Sequence, residues 1–179
     1  MPFAYYNRLS SRDRAVYRRS DAVTSVALPE AEGLHPRIEE LRQALARDDR
    51  RAVTAVAGAL TLSLARRLGV PPVQIEVLAV RPSAAWGELH GLYTRTERRP
   101  PGIQLWMRTA RHRRVVAFRT FLRTLLHEVG HHLDYELLGL PDSFHTEGFF
   151  KRESSLFRQL VPEARGGRGQ DSEPLPGLK

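Results

Sequence analysis

From Val115 to Leu140 the chain runs without a proline, and Phe118, Phe121, Leu122, Leu125, Leu126, Val129 and Leu133 recur at three- and four-residue steps. That spacing predicts one long amphipathic helix with an apolar stripe turned to a core. Gly139 followed by Pro141 is its natural stop. Any fold for this chain must bury that stripe, and with it fix the string His127-Glu128-Val129-Gly130-His131 that the helix carries. Four-residue spacing sets both imidazoles on one face about one turn apart, where they can share one metal ion. Glu128 is then in reach of a metal-activated water as general base, so the string points to metal-assisted hydrolysis.

A hydrolytic zinc site takes three protein ligands and leaves the fourth position open. The chain has no cysteine, so the third ligand is a histidine or a carboxylate. His145 lies fourteen residues after His131, past the turn at Gly139 and Pro141 that can fold it back over the metal. Glu153, in the next helical stretch, is the alternative and would give a His, His, Glu set. Asp134 is better suited to orient a histidine ligand from behind. Tyr93, Tyr135 and His132 are candidate donors for an oxyanion. His132 points roughly 100 degrees around the helix from His131 and reads as a partly buried hydrogen-bonding residue.

Leu125-Leu126-His127-Glu128-Val129-Gly130-His131, then a short loop and His145 with Phe149 and Phe150, resembles the SprT-like and WLM branch of small zincin metallopeptidases. The resemblance covers mainly residues 87 to 160. It implies an α+β zincin-like fold, zinc on His127, His131 and His145, Glu128 as catalytic base, and a protein or peptide substrate. The extended metzincin pattern fails, because Asp134 occupies its glycine position and Leu137 its third-ligand position. A looser likeness to ImmA/IrrE-type regulatory peptidases implies Glu153 as ligand. SprT-like relatives that act on DNA-crosslinked proteins make DNA association a further expectation.

Ahead of the metal helix, Val73, Ile75 and Val77 alternate with polar residues as a half-buried strand would. Gly87 to Thr94 reads as a second strand and Ile103, Leu105 and Met107 as a third, with a turn or flexible loop from Arg95 to Gly102. A short, mostly antiparallel sheet results, with Gly102 to Met107 either the candidate edge for pairing with an extended substrate or an inner strand with Trp106 filling the core. Upstream the chain is helical. Residues 9–20 form a basic helix capped by Ser10 or Ser11, Pro36 opens a second helix, and Val53, Val56, Leu60, Leu64 and Leu68 mark a third ending at Gly69. Residues 21–35 are ambiguous between a short strand and a linker.

The organisation expected is one domain over residues 1–161, its first 35 residues a partly ordered arm, followed by a disordered tail from Pro162 to Lys179. The apolar stretch from Ala52 to Ala65 is too short to span a bilayer. No apolar signal core follows the first arginines, so a cytoplasmic place is expected. The net charge is +8, carried by 26 Arg and two Lys. That skew fits a GC-rich genome without functional demand, yet Arg95, Arg98, Arg99, Arg108, Arg111, Arg113 and Arg114 concentrate where they could meet phosphates. A basic DNA-binding module with a catalytically silent zincin-like core is therefore the rival class.

Overall fold

The structure is a computed structural model that describes residues 3–84, 87–96 and 99–162. Helical periodicity becomes five helices among the described residues: α1 (Ser11–Ala22), α2 (His35–Ala46), α3 (Arg50–Leu68), α4 (Phe118–Glu136) and α5 (Glu147–Leu160). Their starts follow side-chain chemistry. Ser10 Oγ accepts the Asp13 amide at 3.1 Å, Asp49 Oδ1 that of Ala52 at 3.0 Å, and Thr146 Oγ1 that of Phe149 at 2.9 Å. Each such cap is worth about 1 kcal/mol. Pro36 occupies the first turn of α2, where no amide hydrogen is needed. Residues 23–28 belong to no helix or strand, and a 3-10 turn over Ala31–Leu34 follows.

Five strands accompany the helices: β1 (Gln74–Val80), β2 (Ser83–Ala84), β3 (Gly87–Glu88), β4 (Gly91–Thr96) and β5 (Arg99–Arg108). The chain is thus α+β, as expected. The main sheet has the order β1-β5-β4. The pairs β4–β5 and β2–β3 are antiparallel, whereas β1 runs parallel to β5. No tight turn joins β1 to β5, because β2, β3 and β4 intervene, so nothing forces them antiparallel.

Three expectations for this region are corrected. Gly102 to Met107 lies in the central strand, not at an edge, since β5 is flanked on both sides; the edge nearest α4 is β4. The single strand expected from Gly87 to Thr94 is broken at Leu89 and His90 into β3 and β4. The loop expected from Arg95 to Gly102 is mostly strand, apart from Glu97 and Arg98, which lie outside the described residues. The register shifts from Thr94↔Gly102 to Thr96↔Arg99, and Pro100 and Pro101 sit in that irregularity. Without amide hydrogens they cannot serve a regular ladder, but an extra residue on one strand accommodates them.

Val77, Ile103, Leu105 and Met107 turn to the helices and join Val53, Leu60 and Leu64 of α3 and Leu122, Leu125 and Val129 of α4 in one core. Trp106, on the other face of β5, is also buried. α4 crosses β4 and β5, and α5 packs on α4 and α1. Helix α4 is thereby held between sheet and α5. Among the described residues, no helix is long and apolar enough to cross a membrane. The tail expected from Pro162 onward falls, after Pro162 itself, outside the described residues.

Candidate metal centre

His127 and His131 share the face of α4 turned toward the loop between α4 and α5. Gly139 at φ 59° reverses the chain after the helix, and the loop returns His145 to that face immediately before Thr146, the cap of α5. His145 Nε2 then lies 3.0 Å from His127 Nε2 and 3.2 Å from His131 Nε2. The three ligand atoms fall within 4.8 Å of one another, close enough to hold one metal ion. Three nitrogens about 2 Å from a tetrahedral ion are separated by about 3.3 Å, so the observed spacing suits such an ion.

The outer nitrogens assign the tautomers. His127 Nδ1 is 3.2 Å from Glu153 Oε2, an acceptor, so it carries the proton. His131 Nδ1 is 2.7 Å from Ser143 Oγ, whose own hydrogen goes to Asp134 Oδ2 at 2.7 Å. Ser143 is therefore the acceptor for His131, and both Nε2 atoms present lone pairs. His145 Nε2 faces both of them and can donate to only one, so at least one lone pair is left without a donor unless a cation sits between. Outer-nitrogen hydrogen bonds of this kind orient metal-binding imidazoles and raise their basicity.

Burial acts in the same direction. Desolvation, helped by the neighbouring His127 and His145, lowers His131 to about 2, and desolvation with His127 lowers His145 to about 4. Both imidazoles thus stay neutral, the state a metal requires. Phe149 lies beneath His127 and His131, with ring centroids 4.9 Å from each, and Phe150 stacks on His145 at 5.9 Å.

Glu128 is buried on the side of α4 that meets β4. Desolvation lifts its carboxyl to about 7, against the opposing pull of His127 and the Tyr93 amide. Gly91, at the start of β4, makes the room: a Cβ there would stand 2.5 Å from Glu128 Oε1. Glu128 consequently lies under an edge strand whose outer side has no partner among the described strands.

The remaining expected residues are placed as follows. Glu153 meets the outer nitrogen of His127, away from the cluster of Nε2 atoms, and faces Arg123 at 3.5 Å. Asp134 acts on His131 through Ser143, a link that depends on the loop's return and had no sequence signature. His132 donates from Nε2 to the Pro71 carbonyl at 2.8 Å and accepts from Tyr93 Oη at 3.2 Å, the hydrogen-bonding role expected of it. That contact also occupies the Tyr93 hydroxyl, while the Tyr135 hydroxyl points to Asp142 at 3.4 Å. The basic cluster is divided. Arg108 pairs with Asp48 and Arg95 with Glu136, Arg111, Arg113 and Arg114 are exposed in the loop before α4, and Arg98 is outside the described residues. Unforeseen were Arg152, which binds Asp134 Oδ1 at 2.6 Å, and Tyr5, whose hydroxyl donates to the His145 carbonyl at 2.6 Å. Comparison of the chain with protein-family models, curated proteins and solved structures gave no match.

Proposed function

We propose that this protein is a zinc-dependent metallopeptidase, with His127, His131 and His145 as ligands and Glu128 as general base. The observation that supports it most is the convergence of imidazole lone pairs beside a buried carboxyl lifted to about 7. An all-nitrogen, three-ligand set suits zinc with an open fourth position, and the ion would supply Lewis acidity to the water and to the substrate carbonyl. The chain's own residues do the rest. Glu128, poised near neutral pH, takes the proton of the attacking water and passes it to the departing amine. Glu153 and the Ser143–Asp134 pair keep the ligand imidazoles in the required tautomer. The free side of β4 offers backbone groups with which an extended peptide can pair next to Glu128. The resemblance to SprT-like zincins implies the same three ligands and the same base.

The test combines elemental analysis with cleavage of a mixed peptide library. One zinc per chain is expected in wild type and in Glu128→Gln, a deficit in His145→Ala, and cleavage by wild type alone. A Glu128→Gln protein that cuts as wild type does would remove the mechanism. A folded wild type that takes up no zinc would remove the whole reading.

A further inference from the structure

Resting on that reading of the three histidines, we propose that the N-terminal segment, residues 3–23, is a positioning clamp that sets the metal affinity of the centre. His145 differs from the other two ligands in lying outside any helix. Its place must come from what grips the chain around it, and that grip is supplied from more than a hundred residues away.

Three of its attachments bear on the ligands. Tyr5 donates to the carbonyl of His145 itself at 2.6 Å, and its ring meets the buried Tyr17 of α1 edge-on at 5.9 Å. Asp21 Oδ1 accepts the Gly148 amide at 2.8 Å, in the first turn of α5. Arg152 Nη1 donates to the carbonyls of Ser20 and Val23 at 2.5 and 2.6 Å, where α1 ends. The same guanidinium holds Asp134, and through Ser143 it reaches His131. Two of the three imidazoles are thus tied to one segment. Arg152 and Asp134 are almost wholly buried, so water cannot replace their bonds without opening the interface. A metal site loses affinity when its ligands are held a fraction of an ångström too loosely, and outer contacts of this kind govern about ten- to a hundredfold in metal binding.

Cobalt(II) in the full chain tests the clamp, since its visible absorption reports ligand geometry while chelator competition reports affinity. Tyr5→Phe keeps the ring and loses only the hydroxyl, and is expected to weaken cobalt about fivefold. Tyr5→Phe with Asp21→Ala is expected to weaken it tenfold or more and to change the visible bands, with Asp21→Asn in place of Asp21→Ala restoring most of the loss. A role confined to folding would lower the metal-free melting temperature and leave affinity and spectrum alone. Wild-type affinity and spectrum in the double variant would overturn the clamp while leaving the peptidase reading intact. A wild type that binds neither cobalt nor zinc would overturn both.

Discussion

Glu128 illustrates how the burial proposed to suit one side chain to catalysis also carries an energetic cost. Its pKa in the fold, about 7, lies above the ordinary 4.5, so the protonated form is the one the interior prefers. The stability this confers is present below pH 4.5 and is lost as the pH rises through 7. At pH 8 the metal-free protein therefore carries a buried charge that the Tyr93 amide offsets only in part. Glu128→Gln is expected to raise its melting temperature, by the equivalent of about 1–3 kcal/mol, in a thermal scan with chelator. Gly91→Ala tests the cradle instead. A methyl group there displaces the carboxylate, so peptide cleavage is expected to fall at least tenfold with zinc content unchanged. Retained cleavage in that variant would show that the carboxylate has room to spare.

Among the elements, α1 and α5 approach each other so closely that Gly148 has no space for a side chain against the Asp21 backbone. Gly148→Ala is expected to cost about 2–3 kcal/mol in a denaturant titration. Gly58→Ala, in α3 with nothing near the added carbon, is expected to gain up to about 1 kcal/mol. Equal effects of the two would argue against tight α1–α5 packing. The helices were legible in the sequence because their signals are local: an apolar stripe, Ser10 as cap, Pro36 in a first turn. The motif pair His127 and His131 was legible for the same reason, being four residues apart. Strand order was not, because Ile103, Leu105 and Met107 alternate alike at an edge or a centre. Only the partners decide, and the burial of Trp106 on the opposite face is the mark of the centre. Pro100 and Pro101 misled by their usual meaning, a break, where they occupy a bulge.

For the molecule as a whole, acid is the informative perturbation. The folded pKa values of His131 and His145 are depressed to about 2 and about 4 from 6.5. Their contribution to stability is present above pH 6.5 and is lost as the pH falls toward those values. Glu128 acts in the opposite sense between pH 7 and 4.5, one group against two. The metal-free melting temperature is expected to fall from pH 6.5 to 4.5, and most steeply between pH 4.5 and 4, where Glu128 no longer offsets the histidines and His145 is still neutral in the fold. Differential scanning calorimetry across that range decides it, and a profile rising toward pH 5 would contradict the neutral, buried imidazoles. What the sequence withheld at this scale is consistent. Ser143, Arg152 and Tyr5 matter through partners that only the closed chain brings near, so no window of residues around them carries a signal.

Tyr5 and His145 stand 140 positions apart, and Arg152 and Ser20 stand 132 apart. These contacts close nearly the largest loop available to the described chain, and such closures come late because their entropy is spent before any contact repays it. His127 and His131 on α4 and the loop that follows are, by contrast, neighbours along the chain. A growing polypeptide can wind α4 and still lack its third imidazole's anchor. Tyr5 precedes His145 along the chain, so its hydroxyl lacks that carbonyl until residue 145 has left the ribosome. The gathering of the three imidazoles is therefore timed by synthesis, and in a nascent chain His145 goes without this anchor until α1 and α5 meet.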